Sequence, residues 1–174
     1  MEASEQIEQW FYKYEKDITN YLVYYTGSRD VEDMVQETFL RAFKGFNHFR
    51  HNSNHKTWLI SIARNTAADS FRKKGILQKI KTRLLEQPEM RIQPRTEDSI
   101  LWKNDLAELY KSINQLKPNY RDVVLLRGIA ELSSEETAEV LGWTANKVNV
   151  TFFRACKKLN ENLKGSEEFG QSIG

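Results

Sequence analysis

Several residue types are scarce in this chain of 174 residues, and each shortage excludes a class of protein. The single cysteine, Cys156, cannot form an internal disulfide and cannot by itself build a structural zinc site. Only 8 glycines and 3 prolines occur, and no segment shows the short alternating runs of an all-β protein, so helices are expected. No run of 18 or more apolar residues is present, which predicts that nothing in the chain spans a membrane.

The first eight residues, Met-Glu-Ala-Ser-Glu-Gln-Ile-Glu, are acidic and lack the basic start and apolar core of a signal peptide. We therefore expect a cytoplasmic protein, because a reducing compartment also suits a single free cysteine. The length has room for one medium domain or two small ones and excludes a large multidomain enzyme.

Charge is distributed unevenly along the sequence. Residues 1–38 contain 3 Lys or Arg against 9 Asp or Glu, whereas residues 39–83 contain 11 against 1. This asymmetry predicts an acidic surface for a protein partner beside a basic surface for a polyanion. The alternative is that these charges only form a solvent-exposed face. Such a face usually mixes both signs, whereas residues 39–83 contain one acid among 12 charged residues.

Apolar residues recur at steps of three and four in three segments of the first half, which predicts three amphipathic helices. The first ends at Gly27, and the second begins near Ser28 or Asp30 and has a mostly acidic outer face. The third is expected from about residue 56 to residue 74, with Gly75 closing or bending it. Residues 45–55, which lack a clean period and contain many turn formers, are predicted to form a loop.

The overall prediction is an all-α fold of two small helical domains. Two of the three prolines fall in residues 84–96, where no periodicity is sustained, so this segment is predicted to be a flexible linker. The domains are therefore placed at residues 1–83 and 97–164, and residues 165–174 are expected to form a frayed tail.

The second domain contains the pattern of a helix-turn-helix. Ser133 and Glu136 have the spacing of a capping box, Gly142 can end the short helix, and Thr144 can cap a second helix that reaches about Leu163. An ordinary helical hairpin is the alternative. Residues 115–174 have equal numbers of acids and bases, which predicts weak intrinsic affinity for DNA.

Two stretches of the sequence carry a family resemblance. Asp-Val-Glu-Asp-Met-Val-Gln-Glu-Thr-Phe-Leu-Arg-Ala-Phe and Lys-Thr-Trp-Leu-Ile-Ser-Ile-Ala-Arg-Asn-Thr-Ala, within residues 30–74, resemble region 2 of the extracytoplasmic-function sigma factors of bacterial RNA polymerase. Leu-Lys-Pro-Asn-Tyr-Arg-Asp-Val-Val-Leu-Leu-Arg and Leu-Ser-Ser-Glu-Glu-Thr-Ala-Glu-Val-Leu-Gly, within residues 116–159, resemble region 4. Both occur in the family's order and with its linker between them.

The resemblance implies a sigma factor without catalytic activity that directs core RNA polymerase to promoters by recognising −10 and −35 elements. It implies binding to the clamp helices of the largest subunit and to the β flap. The exposed face of the second helix would dock on the clamp helices, where acidic side chains can steer association with a basic groove. The residues assigned to this contact are Asp33, Gln36, Glu37 and Arg41.

Promoter opening requires cationic groups for a strand and a small polar pocket for an extruded base. The resemblance places Asn65 in this pocket and the loop from Phe49 to His55 over the base, and an Asn amide can both donate to and accept from a base edge. Trp58 and Phe71 are expected in the core rather than stacked on bases. The residues assigned to the −10 element are Phe49, Arg50, Arg64, Asn65, Arg72, Lys73 and Lys74.

In region 4 the resemblance implies that one residue before the helix-turn-helix and several residues on its second helix contact the −35 element. The family usually has basic residues at the positions of Asn149, Thr151 and Cys156. Fewer side chains are therefore expected to bind DNA phosphates here. The assigned residues are Arg127, Lys147, Asn149, Val150, Phe153 and Arg154.

The resemblance also implies an anti-sigma partner linked to the membrane, whereas no small-molecule substrate, metal or other cofactor is expected. His48, His51 and His55 invite a zinc interpretation, but no cysteine is nearby. An autonomous helix-turn-helix regulator is the main alternative function, and it leaves the Asn65 segment unexplained. A nucleic-acid-processing enzyme would need a carboxylate cluster, and Asp69 is the only acid in residues 39–83.

Overall fold

A computed structural model describes residues 2–51, 53–85 and 104–171 of the chain. Within these ranges the regular elements are helices and turns without a strand, and the chain divides into two compact units, residues 1–96 and 97–174. The expected all-α fold with two helical units is confirmed. No helix of the described ranges is both long and apolar enough to cross a membrane.

The described residues of the first unit form three α-helices: α1 (Ala3–Thr26), α2 (Glu32–Lys44) and α3 (His55–Leu85). Gly27 ends α1 as predicted, because its φ of 74° is a left-handed conformation that lets its N–H donate to the Val23 carbonyl at 2.8 Å. A 3₁₀ turn, Phe46–His48, follows α2. The core of the unit contains Ile18, Tyr21, Leu22, Val35, Phe39, Leu59, Ile60 and Ala63.

Helix α3 is longer than predicted. Gly75 does not end it, and the helix continues to Leu85 over 31 residues. A glycine inside a helix costs only about 1 kcal/mol relative to alanine, and the Lys, Leu and Gln residues on both sides are good helix formers. Phe71, which was expected in the core, is 44 % exposed and stacks on Tyr25 with ring centroids 6.0 Å apart.

The second unit contains α4 (Asn104–Asn114), α5 (Pro118–Val123), a π-helical segment (Val124–Ile129), α6 (Ser134–Leu141) and α7 (Ala145–Gln171). Residues 97–103, at the start of the second predicted domain, and residues 86–96 of the predicted linker lie outside the described residues. Helix α7 extends eight residues beyond the predicted end at Leu163, so most of the expected tail is helical.

The capping predictions for this unit are confirmed. The Ser133 hydroxyl accepts from the Glu136 N–H at 3.1 Å, and the Glu136 carboxylate accepts from the Ser133 N–H at 2.8 Å. Gly142 is left-handed, with φ of 68°, and Thr144 Oγ1 accepts from the Lys147 N–H at 3.2 Å. These contacts define a tight helix-turn-helix of α6 and α7, with Val148 fully buried between the helices.

Candidate functional site

The outer face of α2 is polar at its start and apolar toward its end. Asp33 and Gln36 are exposed, and Glu37 and Arg41 are half-exposed. Leu40 and Phe43 continue the same face and leave 46 % and 47 % of their surface open. We call Asp33, Gln36, Glu37, Leu40, Arg41 and Phe43 the α2 patch. The sequence prediction missed its two apolar members, although their steps of four and three from Gln36 place them on one helix face.

Arg41 connects the α2 patch to α3. Its Nε donates to Glu37 Oε1 at 3.0 Å, and its Nη1 donates to Asp69 Oδ2 at 2.8 Å. The other oxygen of Asp69 accepts from Arg72. The hydrogen bond from Arg41, followed by that from Arg72, holds the pKa of Asp69 below its ordinary value, and Asp69 and then Glu37 raise the pKa of Arg41. Asp69 is therefore ionised at neutral pH and shared by two guanidinium groups.

Helix α3 carries the residues assigned to a melted strand. Asn65 is exposed, and Arg72 lies seven residues later on nearly the same side of the helix. Lys73 and Lys74 are also exposed, about 80° and about 180° round the helix axis from Asn65. Arg64 is half-buried and already has a partner within the protein. We call Asn65, Arg72, Lys73 and Lys74 the α3 strip. It combines an amide that can pair with a base edge and cations that can contact phosphates.

The loop before α3 is anchored by aromatic rings. Phe49 is 6 % exposed and packs against Trp58 at 4.8 Å and Trp10 at 5.5 Å between ring centroids. The ring of Phe49, which was assigned to the −10 element, therefore faces the interior of the unit. Of the two loop residues assigned to DNA, Arg50 is the one with an exposed side chain. The available sign of a core role was a bulky aromatic residue six positions before the start of the Trp-containing helix α3.

The histidines of this segment are not equivalent. His48 and His51 are exposed, whereas His55 is half-buried and stacks on Trp10 with centroids 4.3 Å apart. Burial, with the nearby Lys13 and His51, lowers the pKa of His55 below its ordinary value. Among the residues that the structure describes, no group of three or more His, Cys, Asp or Glu is placed to hold a metal ion.

Helix α7 presents the residues assigned to duplex DNA on its first three turns. Lys147, Asn149 and Arg154 are exposed, and Val150 and Phe153 leave 42 % and 73 % of their surface open. The ammonium of Lys147 lies 4.1 Å from the centre of the Trp143 ring, and Asn149 hydrogen-bonds with Ser134. Val150 and Phe153 are three positions apart on the helix and so form a small exposed apolar patch.

Arg127 occupies a different position from the other residues assigned to the −35 element. It belongs to the π-helical segment, and its side chain is half-buried. Nη1 donates to the Leu132 carbonyl at 2.8 Å, and the guanidinium lies 5.1 Å from the centre of the Phe152 ring of α7. These contacts hold the turn before α6 against α7, a structural use of Arg127 that the sequence did not indicate.

Cys156 lies on α7 and is exposed as a whole residue. Partial burial of its side chain raises the pKa of the thiol, and the nearby charge of Arg127 lowers it by a smaller amount. The thiol is therefore protonated at neutral pH, as expected for an unreactive cysteine.

Comparison with known proteins gives two family matches in the same order as the two units. Residues 10–76 match sigma-70 region 2, and residues 106–159 match sigma-70 region 4. RNA polymerase sigma factor YlaC of Bacillus subtilis is 33 % identical over 97 % of this chain and 98 % of its own length. The chain belongs to the extracytoplasmic-function sigma factors of the sigma-70 family.

Two further relatives agree with this membership. The ECF RNA polymerase sigma factor SigX of Bacillus subtilis is 32 % identical over 87 % of this chain and 80 % of its own length. The sigma factor RpoE of Bartonella quintana, solved in complex with the anti-sigma factor NepR, superposes with a TM-score of 0.72 at 25 % identity, over 92 % of this chain and 98 % of that one. This sigma factor therefore directs promoter-specific initiation of transcription, and such factors are initiation factors rather than enzymes.

The family matches enclose the candidate surfaces of the sigma factor. The region 2 match contains the α2 patch, the loop and the α3 strip, and the region 4 match contains the helix-turn-helix. The structure thus brings Asp33, Gln36, Glu37 and Arg41 to one face of α2 and five of the six −35 residues to one helix. It separates Phe49 and Arg127 from these surfaces.

Proposed function

We propose that this sigma factor binds core RNA polymerase through the α2 patch and reads the −10 element with the α3 strip. The observation that carries the proposal is the opposite character of two neighbouring helices in one three-helix unit. The α2 patch exposes two carboxylates and two apolar side chains, with Arg41 and the exposed Lys44 toward its end, whereas the α3 strip exposes an amide and three cations. A carboxylate face suits the clamp helices of the largest subunit, where acidic side chains can steer association with a basic groove.

In the proposed complex Asn65 pairs with the edge of one base that has been extruded from the duplex. Its exposed amide stands at the start of the α3 strip. Lys73, Lys74 and Arg50 contact phosphates of the same strand and supply affinity without sequence preference. The ring of Phe49 supports the loop from inside rather than touching a base.

The second unit is proposed to read the −35 element in the major groove with α7, and to contact the β flap of the polymerase. The early turns of the second helix in a helix-turn-helix are the ones that reach base edges. Lys147 and Arg154 supply the phosphate and base contacts that are scarce in residues 115–174, where acids and bases are equal in number. Val150 and Phe153 supply apolar contact, for which the methyl group of thymine is the natural target.

An anti-sigma factor is proposed as the regulatory partner. The Bartonella quintana sigma factor that superposes on this chain was solved with such a factor bound. A membrane link of this partner, a cytoplasmic location of the sigma factor, and domains bounded at residues 83, 96 and 164 are part of the same proposal.

Run-off transcription tests the proposal most directly. Purified chain is added to core RNA polymerase on fragments of the genome that encodes it, and transcripts should start at a small set of sites only when both are present. Polymerase alone is the control. A tight, sequence-specific shift of duplex DNA by the chain alone at physiological salt, without stimulation of transcription, would instead support an autonomous regulator.

A further inference from the structure

A chain of four charged side chains joins the α2 patch to the α3 strip. Glu37 binds Arg41, Arg41 binds Asp69 at 2.8 Å, and Asp69 binds Arg72. Asp69 is also the single acid among the 12 charged residues between positions 39 and 83. The one carboxylate in the basic part of the unit is thus placed where a residue assigned to polymerase and a residue assigned to DNA meet.

The four side chains balance one another, with two carboxylates and two guanidinium groups. They lie at the surface rather than in the core, because their exposed fractions are 44 % for Glu37, 33 % for Arg41, 32 % for Asp69 and 74 % for Arg72. Ion pairs with this exposure add little stability, since water and salt screen them. They are correspondingly easy to rearrange when a partner brings its own charge.

We propose that Asp69 is a positioning residue that couples the two faces, because it holds Arg72 against the protein until polymerase engages Glu37. The proposal rests on the proposed function of these faces. A basic groove that takes Glu37 leaves Arg41 more dependent on Asp69, which weakens the contact of Asp69 with Arg72. Arg72 then becomes available to a phosphate.

The coupling must act equally in both directions. If polymerase binding frees Arg72 for DNA, a phosphate on Arg72 must free Asp69 for Arg41 and favour polymerase binding by the same factor. A plain structural ion pair between α2 and α3 predicts neither effect. Measurements of DNA binding and polymerase binding therefore separate the two roles.

The first test uses the full chain without polymerase. Fluorescence anisotropy of a short labelled single strand of mixed sequence is measured against salt for wild type, Asp69→Asn and Asp69→Glu. Asp69→Asn should bind more tightly, with a salt slope steeper by about 0.7, the value of one added phosphate contact on a single strand. Asp69→Glu keeps the charge and should retain the wild-type slope.

Two further variants identify the cation and control for charge. Combining Asp69→Asn with Arg72→Ala should abolish the extra slope, because the gain comes from Arg72. Glu8→Gln, which removes an exposed carboxylate of α1 that is outside the ion-pair chain, should leave the slope unchanged. Equal slopes for wild type and Asp69→Asn, with both folded by circular dichroism, would overturn the proposal.

The second test adds core polymerase. The affinity for the single strand is measured with and without polymerase, and the first value is divided by the second. This ratio should be about fivefold or more lower for Asp69→Asn than for wild type, because Arg72 is already free in the variant. The same ratio in the variant and in wild type would show that Asp69 only forms a structural ion pair and does not couple the two faces. If the wild-type chain itself failed to bind polymerase, the proposed function would fail first, and the steeper slope of the first test would then show only that Asp69 restrains Arg72.

Discussion

The guanidinium of Arg127 donates a hydrogen bond of 2.8 Å to the carbonyl oxygen of Leu132, directly before the capping box of α6. The same guanidinium lies over the ring of Phe152 on α7. Arg127 thus joins the entrance of the first helix of the helix-turn-helix to its second helix. We expect the orientation of α7 relative to α6 to depend on this contact.

Replacing Arg127 by alanine should therefore destabilise the second unit. The loss of a hydrogen bond from a charged donor, together with the ring contact, should lower the free energy of unfolding by about 1–3 kcal/mol. Urea denaturation of the full chain measures this change. An unchanged unfolding midpoint, combined with lost discrimination at one base pair of the −35 element, would instead make Arg127 a direct reader of DNA.

Reversing the charge of Asp33 should weaken binding to core polymerase. Asp33→Lys places a cation on the exposed start of α2, where the proposed partner is basic, and it avoids the ion-pair chain of Glu37 and Arg41. Exposed substitutions usually change stability by no more than about 0.5 kcal/mol, so the fold should be kept. Competition with wild type for core polymerase measures the effect, and Glu8→Lys on α1 is the matched control. Equal competition by both variants would contradict the assignment of this face.

Asn65 and Lys73 should give different kinds of defect although both lie on the α3 strip. Asn65→Ala should lose discrimination at one position of the −10 element, by about 1–3 kcal/mol, because a base loses its paired amide. Lys73→Ala should lower the affinity for all promoters alike and reduce the salt slope by about 0.7, the value of one phosphate contact on a single strand. Transcription from a library with randomised −10 elements distinguishes them. A uniform loss in Asn65→Ala would make α3 a general phosphate surface.

The exposed ring of Phe153 should read the −35 element and leave the −10 element unaffected. Phe153→Ala should reduce discrimination at thymine-containing positions of −35, and replacing those thymines by deoxyuridine should weaken wild type by a similar factor, since both changes remove the same apolar contact. Arg154→Ala should weaken the −35 element through charge. If deoxyuridine has no effect on wild type, Phe153 does not contact a thymine methyl group.

His55 should make the stability of the first unit depend on pH. Its folded-state pKa is lowered by burial, so the unfolded chain binds the proton more readily. The stabilising contribution is complete above the ordinary histidine pKa of about 6.5 and is lost as the pH falls below it. Thermal unfolding on the two sides of this value should show a larger loss for wild type than for His55→Gln. His48→Gln, at an exposed position, should behave as wild type.

Much of this fold could be predicted because local signals and tertiary packing agree. The caps at Gly27, Ser133 and Gly142 are local backbone requirements, and each formed as expected. The end of α3 could not be predicted in this way. Gly75 costs the helix only about 1 kcal/mol relative to alanine, and the good helix formers around it allow the helix to continue.

For the candidate sites, too, features set by local spacing could be predicted and contacts between distant segments could not. Helical spacing placed Asp33, Gln36 and Glu37 correctly on one exposed face of α2. Spacing could not show that Phe49 turns inward toward Trp10 and Trp58, since these residues come from separate segments of the chain. Nor could it show that Asp69 meets Arg41 on another helix, because that contact spans 28 positions of sequence.

The unbroken course of α3 would set a fixed length scale for the strand that it is proposed to read. Asn65 and Arg72 are seven positions apart on nearly the same side of one helix, a distance along its axis of about 10 Å at about 1.5 Å per residue. Phosphates of a stacked strand recur about every 3.4 Å, so the interval matches about three nucleotides. Because both residues belong to one continuous helix, a promoter with one nucleotide inserted after the base proposed to pair with Asn65 should be out of step with Arg72. The proposed site would thereby recognise the spacing of the −10 element together with its bases.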